Sequence, residues 1–210
     1  MAIRHELSER ALHEHVAEVE GHESQVTGIV GYFYAMYRAE VLARVHGVAG
    51  RDILEVGCGE GMMFHGTTTQ PVQMDVSLTR LERAAGKCRL LLCADGYQLP
   101  FPSNVFDVVL LIAVLEHTRE PWRLLAEARR VLKRGGRAIM VVPNDATMSA
   151  GRLLLRKFPI RYPDHLTFTT PRKMRRWLRD GFRIREAFTL PFRQLPFAFN
   201  LYYFVVAERV

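Results

Sequence analysis

The chain has 210 residues, of which 49% are hydrophobic and 24% are charged. This length suits one domain with a substantial core, and the composition excludes a disordered chain. No apolar run reaches about eighteen residues, so no transmembrane helix is predicted. The polar N-terminus is unlike a secretory signal, and three cysteines, Cys58, Cys88 and Cys93, favour reduced thiols in a cytoplasmic protein over a disulfide framework.

The net charge of +7 is unevenly distributed along the chain. Residues 1–50 are acidic on balance, and residues 151–210 carry the excess of arginine and lysine. Such an asymmetry fits an anionic partner, which would be nucleic acid, anionic lipid or an acidic substrate. It fits a solvated surface equally well.

Two helices are predicted before the first strand. Residues 1–26 are rich in Glu and His, but they lack the compact spacing of a metal site, so we predict a soluble helix and no metal. Residues 28–46 place Tyr34, Tyr37, Val41 and Val45 at helical spacing, which predicts a core face.

The most informative stretch is a strand that runs into a glycine-rich loop. Residues 50–56 are apolar enough for a buried parallel strand. Gly57, Gly59 and Gly61 follow at alternate positions, where the lack of a Cβ lets the backbone turn sharply and approach a ligand. Such a loop at the carboxyl end of a strand is where open α/β sheets bind nucleotide-like ligands.

The spacing of the glycines separates two kinds of cofactor site. A dinucleotide fingerprint reads G-x-G-x-x-G, which does not fit three glycines two apart. The pattern E-x-G-x-G-x-G, beginning at Glu55, resembles instead the first motif of the class I S-adenosylmethionine (SAM) dependent methyltransferases. Binding of NAD is therefore the lesser interpretation.

Further motifs in the same order extend this resemblance over about residues 50–145. A short helix at 62–66 and strands at 72–74 and 89–94 are predicted, with an Asp after each strand. A helix from Ser77 separates those strands. A fourth strand starts at Phe106-Asp107 and is apolar throughout 108–114. A helix from Pro121 ends at Gly135-Gly136 before a fifth strand at 137–142. Glu116-His117 and the segment Arg130 to Gly136 match the family pattern.

The segment after the fifth strand looks like an insertion. Residues 146–161 interleave leucines and a Phe with Arg152, Arg156, Lys157 and Arg161, which is typical of a helix at a membrane interface and predicts contact with an anionic surface. A helix begins at Pro171 and ends before Gly181, with Met174, Trp177 and Leu178 on its core face. Strands at 182–189 and 201–208 then fit the antiparallel end of a methyltransferase sheet.

The predicted fold class is α/β. We expect a single Rossmann-like doubly wound sheet of about seven strands, mostly parallel with an antiparallel C-terminal strand, and an N-terminal helical cap. The predicted divisions are a cap at 1–48 and a SAM-binding methyltransferase domain at 49–210, with 146–170 as a substrate-side insertion.

The resemblance implies that SAM is the cofactor and S-adenosylhomocysteine the product. It implies that Glu55 balances the methionine amino group, Asp75 receives the ribose hydroxyls and Asp95 meets the adenine amino group. The full cofactor set that it implies is Glu55, Gly57, Cys58, Gly59, Gly61, Asp75, Val76, Asp95, Gly96, Tyr97 and Ile112.

Candidate bases are His117 and His165, because an imidazole titrates near neutrality and both residues fall near the carboxyl edge of the sheet. His65 and Glu116 are weaker candidates. The predicted function is methylation, at an oxygen, of a small-molecule or lipid-like acceptor. The alternative is an RNA or protein methyltransferase that uses the basic C-terminal third. Nucleic acid is the lesser partner. We expect a cytoplasmic protein that contacts an anionic membrane peripherally.

Overall fold

A computed structural model describes residues 8–19, 28–46, 52–156 and 158–210. Its seven strands form one sheet in the order β3-β2-β1-β4-β5-β7-β6. The strands are β1 (Ile53–Val56), β2 (Val72–Asp75), β3 (Leu90–Cys93), β4 (Phe106–Ile112), β5 (Leu132–Pro143), β6 (Phe182–Leu190) and β7 (Tyr202–Arg209). The helices are α1 (Glu9–Val19), α2 (Gly28–His46), α3 (Leu78–Ala84), α4 (Pro121–Val131), α5 (Asp145–Leu154) and α6 (Pro171–Leu178).

The strand directions confirm the predicted fold class. β1 pairs in parallel with β2 and with β4, and β4 pairs in parallel with β5. β7 is antiparallel to both β5 and β6, so it is the single reversed strand of the sheet. Five parallel strands and β6 therefore end at one edge, which places their following loops together.

The core has a layer on each face of the sheet, because the central strands are apolar on both sides. On one face Leu124 and Leu125 of α4 and Met174 and Leu178 of α6 are buried. On the other face α2 packs with its predicted stripe inward, and Tyr37, Val41 and Val45 are buried while Tyr34 is partly buried. No helix among the described residues is long and apolar enough to cross a bilayer.

Two sequence predictions about local structure are wrong. Residues 62–66 form turns rather than a helix. The guanidinium of Arg38 on α2 donates to the carbonyls of Met63 (2.8 Å) and His65 (2.6 Å), and these carbonyl contacts hold the segment as a loop. The helix α4 ends at Val131 instead of reaching Gly135, because Leu132 is already paired with Phe106 in the sheet.

The predicted cap is described only in part. α1 and α2 account for residues 9–19 and 28–46 of the predicted 1–48, and the rest of the predicted helix at 1–26 lies outside the described residues. The proposed boundary between 48 and 49 also falls among residues that are not described. The predicted insertion begins with α5, which Asn144 caps by accepting from the Thr147 amide.

Candidate functional site

A cleft opens where β1 to β4 end. It contains about 880 Å³ of space, part of which is open to solvent. The residues that follow these four strands form its floor, and the N-terminal half of α1 lies along its side with Glu9, Arg10 and His13. One cleft thus combines the glycine loop, two acidic strand ends and a histidine cluster.

The glycine loop is held against the end of β2. The amides of Gly57 and Cys58 both donate to the carbonyl of Met74, at 2.8 and 2.9 Å. The amide of Gly59 donates to Oδ2 of Asp75 at 2.8 Å. Gly59 has φ of +53°, and a Cβ built there would reach only Arg80 Nη1, 4.0 Å away. The backbone at Gly59 therefore leaves open space on the cleft side, which a ligand can occupy.

The other two glycines are required for packing. A Cβ at Gly57 would lie 2.5 Å from Val114 Cγ2, and a Cβ at Gly61 would lie 2.2 Å from Cys88 Sγ. Both residues also have positive φ, at +72° and +75°. Gly57 lets the loop after β1 pack against Val114, two residues after β4, and Gly61 lets it pack against α3 and the segment before β3.

Two aspartates face the cleft after β2 and β3. Asp75 is 8% exposed and accepts from the Ser77 amide through Oδ1, while Oδ2 accepts from Gly59. Asp95 accepts from the Tyr97 amide at 2.8 Å and remains exposed. Each carboxylate retains acceptor capacity, because each oxygen has more than one lone pair. The arrangement can receive hydroxyl or amino donors from a bound ligand.

Helix α1 is attached to the cleft wall by two glutamates. Glu14 accepts from the Ser77 hydroxyl and from the amides of Leu78 (2.9 Å) and Thr79 (3.3 Å), at the N-terminus of α3. Burial raises the pKa of Glu14, but these hydrogen bonds outweigh it and hold the pKa below its ordinary value. Glu9 accepts from the Tyr97 hydroxyl at 3.3 Å and from the Arg119 amide at 3.0 Å. α1 therefore covers the cleft in this conformation.

Replacing Glu14 with Gln tests whether α1 retains a bound ligand. A neutral amide loses the charge-assisted bonds to the N-terminus of α3, each of which contributes about 1.5–3 kcal/mol. We expect SAM to dissociate faster and to bind about tenfold more weakly, measured by calorimetry and stopped-flow displacement. Glu18→Gln, an exposed position on the same helix, is the matched control, and equal affinities for the two variants would contradict this role of α1.

His117 and Asp164, which also line the cleft, form a pair. Nδ1 of His117 lies 3.1 Å from Oδ2 of Asp164, whose side chain is only 6% exposed. Burial lowers the pKa of His117, but the hydrogen bond to Asp164 and the charges of Asp164 and Glu116 outweigh it and raise the pKa to about 9. The other oxygen of Asp164, Oδ1, is buried and has no hydrogen-bond partner among the described residues. The pair can accept a further donor.

A second histidine–aspartate pair lies behind the first. Nδ1 of His165 contacts Oδ1 of Asp145, and the His165 ring stacks on Tyr162 with centroids 4.9 Å apart. The rings of His165 and His117 meet edge to face at 4.9 Å. His165 does not line the cleft, so it can influence a ligand there only indirectly, through the residues it contacts.

Glu116 lies between these pairs and is 1% exposed. Burial raises its pKa, although the charges of His117 and His165 oppose the shift. One ligand atom from each of Glu116, His117 and His165 lies within 4.8 Å of the others, so the group could hold a metal ion. Because metal binding needs a neutral imidazole, the raised pKa of His117 opposes it.

The raised pKa of His117 also makes folding stability depend on pH. The pKa is about 9 in the folded protein and 6.5 for an ordinary histidine. Protonation therefore stabilises the fold fully below about pH 6.5, and this contribution is lost as the pH rises through about 9. We expect the melting temperature to fall from about pH 7 to about pH 10 more steeply in the wild type than in His117→Asn. Parallel curves in thermal unfolding would contradict this shift.

Part of the chain matches a known domain family. Residues 54–140 match the methyltransferase domain model, and this match spans the glycine loop and both acidic strand ends. These residues therefore form a methyltransferase domain. The chain is 30% identical over 137 residues to a probable SAM-dependent methyltransferase of Mycolicibacterium smegmatis, covering 62% of this chain and 53% of that protein. It is 35% identical over 133 residues to an uncharacterised protein of Methanocaldococcus jannaschii, covering 63% of this chain and 55% of that protein.

Solved structures agree on the fold. The cyclase SpnF superposes with a TM-score of 0.73 at 18% identity, over 97% of each chain. Magnesium protoporphyrin IX methyltransferase from Synechocystis, solved with bound SAM, superposes with a TM-score of 0.68 at 15% identity, over 97% of this chain and 98% of that one. A cyclase and a methyltransferase share this architecture, so the reaction has to be argued from the site. The chain also spans only about half the length of the first two relatives.

The methyltransferase domain brings most of the sequence-predicted residues to the cleft. The predicted cofactor residues that line it are Gly57, Gly59, Asp75, Val76, Asp95, Gly96 and Tyr97, and the predicted base His117 also lines it. Four predicted cofactor residues lie beneath that surface and do not line it: Glu55, Cys58, Gly61 and Ile112.

Glu55, which was expected to balance the methionine amino group, is buried beneath the cleft. It is 3% exposed and accepts from Gln73 Nε2 at 2.7 Å. Burial raises the pKa of Glu55 to about 8, which leaves it largely protonated at neutral pH. A neutral, buried group that is already hydrogen-bonded supplies little charge for an amino group in the cleft.

Several cleft residues were not found from the sequence. Glu9, Arg10 and His13 belong to a helix interpreted as soluble, and nothing local showed that this helix lies along the cleft. Arg80 and Leu124 reach the cleft from α3 and α4. Asp164 had a usable signal, because it directly precedes the candidate His165 in the loop after α5.

Proposed function

We propose that this protein transfers the methyl group of SAM to an oxygen of a small-molecule or lipid-like acceptor. The observation that carries the proposal is a single cleft whose lining includes both a SAM-type glycine loop and the buried carboxylate–imidazole pair of Asp164 and His117. The family match supports the cofactor and the reaction class. The acceptor site is argued from the side chains of this chain alone.

The residues around the glycine loop fit SAM. Gly59 leaves open space beside the loop, and Asp75 and Asp95 offer carboxylate oxygens to the hydroxyl and amino groups of an adenosine. Val56, Met74 and Leu124 supply an apolar surface between them. When bound, SAM supplies the electrophilic methyl group. The protein binds SAM and the acceptor and orients them toward each other, while α1 excludes water along the side of the cleft.

His117 is proposed as the base that removes the acceptor proton. Its Nδ1 is held by Asp164, which leaves Nε2 to accept a proton from a hydroxyl. The pKa of His117 is about 9, so its imidazole is a strong base. At neutral pH only a minor fraction of the molecules has a neutral imidazole that can accept the proton of the acceptor. His165 and Asp145 are proposed to position His117 by ring contact rather than to touch the acceptor.

Named relatives support an oxygen acceptor. The chain is 28% identical over 151 residues to the ubiquinone biosynthesis O-methyltransferase of Methylococcus capsulatus, covering 64% of this chain and 63% of that protein. A base is needed when a hydroxyl attacks but not when a neutral amine does. The carboxylate-held imidazole therefore favours a hydroxyl, such as a phenol.

Mass spectrometry of acceptor pools tests the proposal. The protein is incubated with SAM and with extracts or phenol libraries, and gain of one methyl group per acceptor is expected together with S-adenosylhomocysteine. Prior treatment with a chelator should leave the rate unchanged; loss that a divalent ion restores would assign the Glu116 cluster to a metal instead. Methylation confined to RNA or protein in these pools would overturn the choice of acceptor.

A further inference from the structure

An exposed apolar surface lies beside the mouth of the cleft. At the end of α5 the side chains of Leu153, Leu154 and Leu155 are 58%, 84% and 60% exposed, and Phe158 is 74% exposed. In the loop between β6 and β7, Phe192 and Phe199 are 54% and 65% exposed. These six residues are called the apolar edge below. Large apolar side chains gathered in this way mark a contact surface rather than ordinary surface scatter.

The fold places both segments at the carboxyl edge of the sheet. β5 and β6 run in the same direction, because each is antiparallel to β7, so α5 and the β6–β7 loop leave from the same side. The buried amide of Asn144 ties them together by donating to the carbonyls of Phe197 (2.8 Å) and Asn200 (2.9 Å). The apolar edge therefore shares its side of the molecule with the cleft.

The chain after α5 is anchored to the histidine cluster. Arg152 donates to the carbonyl of Pro159 at 2.7 Å and lies over the Tyr162 ring, with its guanidinium carbon 4.8 Å from the centroid. Tyr162 in turn stacks on His165. The exposed leucines are thus the outer end of a segment whose inner end packs against the candidate active site.

Cations follow the α5 part of the apolar edge in the sequence. Residues 146–163 contain Arg152, Arg156, Lys157 and Arg161 and no Asp or Glu. Arg193, in the loop between β6 and β7, is instead paired with Glu40 of α2. The side chain of Lys157 lies outside the described residues. Exposed leucines and a phenylalanine interleaved with cations, as at the end of α5, match the boundary between lipid headgroups and acyl chains, where apolar groups insert and arginines meet phosphates.

We propose that the apolar edge docks this protein on an anionic phospholipid membrane with the cleft mouth beside the bilayer. Each cation near an anionic surface raises binding about fivefold, and the apolar side chains add to this by leaving water. A second copy of the chain is disfavoured as occupant, because a two-fold contact would bring the arginines of both copies together. RNA is the less favoured occupant, since three of the six side chains of the apolar edge are leucines, which offer bases no stacking surface. The docking does not depend on which acceptor is methylated.

Vesicle flotation tests the docking. Purified full-length protein is mixed with phosphatidylcholine vesicles, with or without about one third phosphatidylglycerol, at low and high salt. We expect flotation with the anionic vesicles only, weakened by salt. Leu154→Glu, at a position too exposed to affect the core, should lower the bound fraction at least about tenfold. Arg156→Glu with Arg161→Glu should lower it by about twenty-fivefold or more, at about fivefold per cation removed.

Matched control variants distinguish binding through the apolar edge from binding through the overall positive charge of the protein. Arg175→Glu with Arg176→Glu makes the same charge change on the exposed face of α6, and Leu90→Glu makes the same apolar change on β3, at the opposite end of the sheet. Both should float like the wild type. The proposal is overturned by absence of flotation, by equal loss in the control variants, by a dimer in light scattering that Leu154→Glu dissociates, or by salt-sensitive RNA binding without vesicle binding.

Discussion

Replacing Gly59 with Val is expected to abolish SAM binding while the protein remains folded. A Cβ at Gly59 points into open space in the cleft, with only Arg80 Nη1 at 4.0 Å. A branched side chain would fill the volume where the cofactor has to approach the backbone. Calorimetric titration with SAM should detect no binding, a loss of at least about a hundredfold in affinity.

The control for this prediction is Gly66→Val. Gly66 has φ of +74° and nothing within 4 Å of a built Cβ, so it suffers similar backbone strain outside the cleft. It should lose some stability and keep its affinity for SAM. Retained SAM binding in Gly59→Val, or equal loss in both variants, would show that the glycine loop does not hold the cofactor.

Replacing His117 with Asn is expected to lower turnover by roughly 10²–10⁴, the usual range for loss of a general base, with little change in SAM affinity. In the wild type the rate should rise with pH and level off near the pKa of His117, about 9. Asp164→Asn should shift this rise to lower pH, because the amide removes the negative charge that holds the proton on His117. Rates of S-adenosylhomocysteine release measured across pH give both results.

His65→Asn is the matched control for the base, since His65 is exposed on the loop after the glycines and does not line the cleft. Its turnover should equal that of the wild type. A flat pH profile of the wild type would contradict a role of His117 as base. A rate that falls above pH 9 would also contradict it and would indicate that the His117 imidazolium holds an acceptor that is already ionised.

The predictable part of the site is the part encoded by strand ends. A buried apolar strand that is followed by a glycine, or by Asp75 or Asp95, can be recognised in the sequence. It also predicts that the residue after the strand lies at the carboxyl edge of the sheet. Parallel strands end together, so local signals at separate positions combine into one site. For the same reason the sheet, with its reversed last strand, was predictable from the order of the elements.

The unpredictable part depends on contacts between distant segments. Arg38 holds residues 62–66 as a loop through carbonyl groups, and carbonyls carry no residue-specific signal. Glu14 attaches α1 across 63 residues to Ser77. Asp164 turns His117 from an ordinary imidazole into a strong proton acceptor across 47 residues. Burial of Glu55 likewise changes its charge, which its place in the motif does not show.

Calorimetric titration of the wild-type protein with S-adenosylhomocysteine and, separately, with NADH tests the central claim most directly. The cleft with its alternate glycines and two acidic strand ends predicts saturable one-to-one binding of S-adenosylhomocysteine and no binding of NADH. Binding of NADH with equal or higher affinity, or no binding of S-adenosylhomocysteine, would contradict the assignment of this cleft to SAM.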